Sequence, residues 1–347
     1  MDVLNLTSRK RETYKIQLNY SMLWECALGI AAVTNSRLIS TLEKPASYWE
    51  EIRTALPEDL LKQLDYVEKN NTWKSLLQLL HQNNFLELKP FISYIQELSN
   101  KELKFISLPF IGSEFQDMRQ QAALGDSASI KEMKRLTRDN PFFPDYIEFI
   151  CNVDGELLKK HLIAVMTGWY EFVLKKDEEK FRTILETDFE AKRKMAEKLT
   201  PEELVEWATG GVTYNPEPSV NSVLLIPQYI YRPWNIEADL EGTKVFYYPV
   251  ANESIYPNDR YAPDSSLVLK HKALGDEARL RIVKLLNEGD RTLQEITEHL
   301  EVGKSTIHHH LKILRSARLV GIIDSKYTLK RNAIDLLAKE MEYFLKG

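Results

Sequence analysis

Between residues 21 and about 210 the apolar side chains recur at helical intervals. Leu60, Leu61, Leu64 and Val67 form one such set. Leu76, Leu77 and Leu80 form another, and Leu157, Leu158, His161, Leu162, Val165 and Met166 a third. Spacings of three and four residues place a set on one helix face. Breakers fall at Pro57, Asn70-Asn71, Pro90, Gly125-Asp126, Pro141 with Pro144, and Pro201. Pro201 precedes Glu202-Glu203, which suits a helix start. About eight to ten helices in roughly 190 residues are expected here, with a core of their own. Residues 14–18 alternate and predict one strand ahead of them, and residues 1–12 read as polar and loose. The apolar run Met22–Val33 follows Lys10 and Arg11, a faint signal-peptide outline. Glu25 lies inside the run and a long polar spacer precedes it, so the run reads as a buried helix.

After Pro216 and Pro218 the period shortens. Residues 222–231 and 243–250 are β-rich and separated by 232–242, which reads as a hairpin with a long connection. Residues 251–264 are rich in Pro, Asn and Asp, a linker composition.

Helical spacing then returns. Asp276 precedes a segment with Leu280, Val283 (beside Ile282) and Leu286 on one stripe, and Gly289 stops it. Thr292 with Glu295 has capping-box spacing, and Ile296 and Leu300 supply the buried face. Val302-Gly303 makes the turn into a third helix. Ile307, Leu311 and Leu314 point inward there, leaving Lys304, Ser305, Thr306, His308, His309, Lys312 and Arg315 outside. From Leu319 the period becomes extended, and residues 319–323 and 326–329 read as two short strands around Asp324-Ser325. A short helix, a tight turn, a second helix with a basic face and a hairpin is the winged helix-turn-helix arrangement, whose second helix fits a major groove. The expected fold is mainly α with small β hairpins: an N-terminal all-helical domain at 1–215, a β hairpin and linker at 216–264, and the winged helix-turn-helix at 265–347. A last helix over 331–345 spaces Ile334, Leu337, Met341 and Phe344 by three and four, the seam of a helix pair.

Charge sharpens this picture. The chain carries a net -5, which argues against a general polyanion binder. Residues 267–330 nevertheless hold 12 Lys or Arg against 8 Asp or Glu, a net +4, leaving -9 for the rest. A basic module on an acidic chain suits DNA contact by one face. Cys26 and Cys151 lie in apolar surroundings and read as buried free thiols, which fits a reducing cytoplasm. No span of about 20 apolar residues calls for a membrane. His308, His309 and His310 are consecutive, so they point about 100° apart and cannot share one tetrahedral ion. His310 is expected inward, as a hydrogen-bonded packing residue. Trp24, Trp49, Trp73, Trp169, Tyr170 and Trp207 suit a core better than an aromatic pocket. HExxH, GxSxG, P-loop and GxGxxG motifs are missing, so no enzyme activity, cofactor or metal is expected.

Lys272-Ala273-Leu274-Gly275-Asp276, Arg279-Leu280, Ser305-Thr306, His309-His310-Leu311-Lys312, Leu314 and Ala317 resemble the ArsR-type bacterial repressors over about 65 residues. The resemblance implies a homodimeric repressor that binds an inverted-repeat operator in double-stranded DNA, with a domain added before the DNA-binding module. Metal-sensing members carry Cys before the recognition helix. Here that helix reads Leu293-Gln294-Glu295-Ile296-Thr297, and the terminal helix offers Asp335, Glu340 and Glu342 without His. Glu277-Ala278 stand where the family often has Pro, and Arg318 where it usually has Gly. A left-handed side chain costs on the order of 1 kcal/mol, so a different helix end is expected. The expected base-reading and phosphate-binding set is Lys304, Ser305, Thr306, His308, His309, Lys312, Arg315 and Lys326. The expected dimer seam is Ile334, Leu337, Met341 and Phe344, and packing of the same stripe on the chain's own helix around Leu269 and Ala273 is the alternative. The N-terminal domain would bind an unknown small-molecule effector or serve assembly. Two other classes fit the same pattern: an enzyme or ligand-binding domain with a regulatory winged helix, and a protein-interaction module. DNA binding by the C-terminal residues discriminates between them.

Overall fold

The computed structural model describes residues 13–259, 261, 263, 265–323 and 325–346, without the side chains of residues 37, 265 and 316. The expectations for residues 1–12 and for Asp324 lie outside the described residues. The chain divides into two compact units. One comprises Met1–Pro201 and Asn215–Pro249, the other Glu202–Tyr214 and Val250–Gly347. The chain therefore crosses between units three times, and the boundaries differ from 1–215, 216–264 and 265–347. The strand-rich stretch belongs with the N-terminal helices, and most of the Pro201–Thr209 helix belongs with the C-terminal elements.

The first unit is helical with one sheet. Among the described residues, thirteen α-helical segments run from Met22 to Thr209, the last of them mostly in the second unit, more than expected because the chain turns without Pro or Gly. Leu98 is extended, and Ser99 opens Asn100–Ser107 with a capping box to Glu102. Every residue of Met22–Val33 is buried, as its composition predicts. Gly29 is required there: a Cβ would stand 2.7 Å from Trp169 Nε1 on the Gly155–Trp169 helix. Trp24, Trp49 and Trp169 are core residues, and both cysteines are buried free thiols. Trp73 and Tyr170 are half-buried and Trp207 is exposed.

The sheet contains β1 (Lys15–Leu18), β2 (Ser222–Gln228), β3 (Ile236–Leu240) and β4 (Thr243–Pro249), in the order β1-β2-β4-β3. β1 and β4 both run parallel to β2, with Lys15 and Thr243 opposite Ser222. The expected hairpin of 222–231 with 243–250 is thus corrected: those strands are parallel neighbours, and the hairpin is β3 with β4. β3 falls within the expected connection 232–242, where IEADL has weak strand propensity. Pairing supplies what propensity does not, since Lys244 meets Glu237 at 2.9 Å and Asp239 at 3.0 Å. β2 is nearly all buried and so reads as a continuous apolar run.

Glu25 ties the first long helix to this sheet. Its carboxylate accepts the backbone N–H groups of Tyr229 and Ile230 just past β2. Burial pushes the carboxyl up to about 7, against the pull of those two donors. A raised folded-state value means that the folded protein keeps the proton longer than the unfolded chain. The stabilisation is then complete at acid pH and is lost as pH rises towards and through 7. Unfolding free energy, measured by urea titration at stepped pH, should carry a falling component from pH 5 to 7. Its slope approaches about 1.4 kcal/mol per pH unit. Glu25→Gln should remove that component; identical profiles would contradict it.

The second unit has its own core. Ala273, Ile282, Leu286, Ile296, Ile307 and Leu311 meet in it with Leu314, Leu319 and Tyr327. Asp276 caps Glu277–Glu288 by accepting from Arg279 N at 3.0 Å. Thr292 and Glu295 close the expected capping box on Leu293–Leu300. Leu280 is corrected: it is 50% exposed. The buried stripe is Ile282, Leu285 and Leu286, which the 100° step of the helix places on the side opposite Leu280.

Candidate nucleic-acid interface

The helix Lys304–Ser316 presents two unlike sides. Ile307, Leu311 and Leu314 are buried, whereas Lys304, Ser305, Thr306, His308, His309, Lys312 and Arg315 are all exposed. Lys304, His308, Lys312 and Arg315 follow at intervals of four, four and three, so they form one row. All seven expected polar positions therefore lie on the outer side of a single helix. The turn before it differs in detail from expectation. Glu301 takes the left-handed conformation at φ 55, and Gly303 does not. Gly303 has no capping side chain, so no cap side chain takes up the first N–H groups of this helix, at the end where the helix dipole favours an anion.

His310 is turned inward, with a side chain 14% exposed. Its Nδ1 lies 3.8 Å from Asp276 Oδ1 and has no hydrogen-bond partner. The Arg279 backbone N–H, then the Arg279 charge and His310, hold the Asp276 carboxyl below its ordinary value. Arg279 also donates to Ala273 O at 2.6 Å and Lys272 O at 3.1 Å, bracing the end of Ser265–Leu274. The first resemblance motif thus carries structural contacts.

Two short strands, β5 (Val320–Ile323) and β6 (Lys326–Leu329), form the expected antiparallel hairpin. Ser325 takes φ 63 just before β6. Lys326 is exposed on β6. Arg291 was not in the expected set, yet it pairs with Tyr327 by both backbone hydrogen bonds, at 3.1 and 2.7 Å. Its only sequence signal was the short gap between Gly289 and Thr292. The Thr292 backbone N–H, with Lys326 and Arg291 nearby, holds the Glu295 carboxyl below its usual range. Ile322 and Ile323 are exposed on the hairpin.

Arg318 ends the helix in the Gly manner, against expectation. It takes φ 58; Leu319 N donates to Leu314 O at 3.0 Å and Arg318 N to Arg315 O at 2.9 Å, the Schellman arrangement. Its side chain lies against Gly210-Gly211, where a Cβ on Gly210 would fall 1.5 Å from Arg318 Nη1. Lys330 donates to Gly211 O, and burial lowers its pKa. These contacts bind the 202–214 segment to the winged helix.

The terminal stripe is split. Arg331–Asp335 and Leu337–Lys346 are separate helices, broken at Leu336. Ile334 packs on the unit's core, and Leu337, Met341 and Phe344 are half-buried. The second helix packs on Ser265–Leu274, with Lys270 Nζ 2.6 Å from Glu340. Leu336, Tyr343 and Leu345 remain exposed. Among the described residues no group of three or more His, Cys, Asp or Glu could hold a metal, and no helix is long and apolar enough to cross a membrane.

Residues 276–321 match the family described as bacterial regulatory protein, arsR family. Over 50 residues the chain is 43% identical to the transcriptional repressor SdpR of Bacillus subtilis (strain 168), which covers 14% of this chain and 56% of that protein. The chain thus spans about half the length of this curated relative. No solved structure matches the chain significantly. Residues 276–321 are an ArsR-type helix-turn-helix.

Proposed function

We propose that the chain is a sequence-specific DNA-binding transcriptional regulator, acting as a repressor. The observation that carries this reading is the exposed polar and basic side of Lys304–Ser316, set on a buried apolar side within an ArsR-type segment. The similarity to a protein named a transcriptional repressor supports the direction of regulation. In this reading Lys304, Ser305, Thr306 and His308 face base edges from the first turns of the helix, the part such helices aim into the groove. His309, Lys312, Arg315 and Lys326 take phosphates and set the register. The test is selection of duplexes from a randomised library by the full chain. Enrichment of one sequence supports the reading, and recovery of an unenriched pool contradicts it.

The regulator acts as a homodimer on an inverted repeat, with Ile334, Leu337, Met341 and Phe344 meeting their copies. The half-buried stripe and exposed Leu336, Tyr343 and Leu345 support this. A two-fold dimer places its recognition helices about 34 Å apart. Sedimentation equilibrium of the full chain should show a dimer. Leu337→Glu with Met341→Glu should shift it towards monomer, by tenfold or more in dissociation constant. A wild-type chain that stays monomeric at high concentration contradicts the dimer. The first unit serves effector binding or assembly, and an effector acts by favouring one of two arrangements of the DNA-binding elements.

A further inference from the structure

Five cationic side chains are buried among the described residues: Arg119, Lys159, Lys192, Arg232 and Lys270. Four of them meet a carboxylate. Lys159 lies 3.1 Å from Glu156, Lys192 3.2 Å from Asp188, Arg232 2.8 Å from Glu43 and Lys270 2.6 Å from Glu340. Arg119 has no such partner, although only 8% of it is exposed. It belongs to the Gln116–Ala123 helix. Its guanidinium lies 4.4 Å from the Phe105 ring centroid. Nη1 donates to Gln116 Oε1 at 3.2 Å, and Nη2 reaches Ile106 O only at 3.5 Å. The buried Nε–H has no acceptor. Gln116 donates in turn to the exposed Glu241 at 2.9 Å.

A second unsatisfied group follows Ile106 directly. Ser107 Oγ is buried without a hydrogen-bond partner. The backbone carbonyl of Ser107 accepts from Tyr146 OH at 2.9 Å, and Tyr146 OH also pairs with Ser75 Oγ at 2.8 Å. An arginine stays charged when buried. A buried charge with no carboxylate in contact is costly, and so is a buried hydroxyl without a partner. Burial pulls the Arg119 guanidinium down to about 10, with Glu241 acting in the opposite sense. A carboxylate would supply the missing charge and could take Nε–H and Nη2–H together, the forked geometry that suits its two oxygens. The same helices contribute buried Leu103, Ile106, Ala122 and Ala123. That composition favours an acid with an apolar body over phosphate, whose second charge would be harder to bury.

We propose that Arg119 anchors a binding site for a small organic carboxylate with an apolar tail, assisted by Gln116. Its role as the regulator's effector site rests on the DNA-binding reading above; the site itself does not.

Isothermal titration of the full chain with octanoate, benzoate and inorganic phosphate tests it. Saturable binding of octanoate or benzoate is expected, weakened tenfold or more in Arg119→Lys, which keeps the charge and loses the fork. No saturation by either carboxylate up to about 10 mM, which corresponds to less than about 3 kcal/mol of affinity, overturns the proposal. So does saturation by phosphate alone, or equal carboxylate binding in Arg119→Lys. If Arg119→Lys does not fold, the arginine 15Nε resonances of the unsubstituted protein decide. One must shift on titration with octanoate, and an unmoved set overturns the site. DNA affinity is not read in this experiment, so failure here leaves the DNA-binding reading standing. Failure of the duplex selection likewise leaves the site standing.

Discussion

Leu314→Ala is expected to cost the C-terminal unit about 2–5 kcal/mol of unfolding free energy. Leu314 is fully buried in the core shared by Ile282, Ile296 and Leu319. The lost side chain forfeits its transfer energy and leaves a cavity that the surrounding helices fill only in part. Domains of this size have about 5–15 kcal/mol in total, so the loss is a large fraction. DNA binding at physiological temperature should fall with it. Leu280→Ala is the control. Leu280 occupies the neighbouring helix but is half exposed, and its removal should cost less than about 1 kcal/mol. Urea unfolding followed by circular dichroism, with the transition of this unit resolved, measures both. Equal costs for the two variants would show that the buried stripe is wrongly placed.

The second large effect is on recognition. Thr306→Ala with His308→Ala should cost about 1–3 kcal/mol of sequence discrimination for each base contact removed. Both side chains are exposed on the first turns of Lys304–Ser316. Their loss should leave stability within about 0.5 kcal/mol of the wild type, so folding does not confound the result. Lys312→Ala and Arg315→Ala should behave differently. They should weaken binding to all sequences alike and reduce the salt slope by about one each. A double variant that binds selected and random duplexes as the wild type does would remove Thr306 and His308 from the base-reading set.

Residues whose signal is local were legible in the sequence. Asp276 and the Thr292–Glu295 pair announce helix starts because a cap needs only neighbours three positions away. Ile307, Leu311 and Leu314 show their buried side through spacing alone. What the sequence did not show depends on distant partners. β3 is a strand because β4 pairs with it and Lys244 holds Glu237 and Asp239. Arg318 sustains a left-handed backbone beside Gly210-Gly211, more than a hundred positions earlier. The same packing makes 202–214 part of the C-terminal unit, although nothing in its periodicity sets it apart. Leu280 failed for another reason: a stripe of 280, 283 and 286 and one of 282, 285 and 286 fit the helical period about equally, and only packing chooses between them. Arg119 carried no motif at all, since its meaning lies in the carboxylate it lacks.

In the proposed function the exposed side of Lys304–Ser316 recognises a DNA sequence. Its most direct test is the equilibrium affinity of the full chain for the duplex it selects, against a scrambled duplex of equal length, over a range of salt concentrations. The predicted result is a preference of about a thousandfold or more at physiological salt, with log affinity falling linearly as log salt rises. Equal affinity for the two duplexes, or no binding to either at low salt, would contradict it.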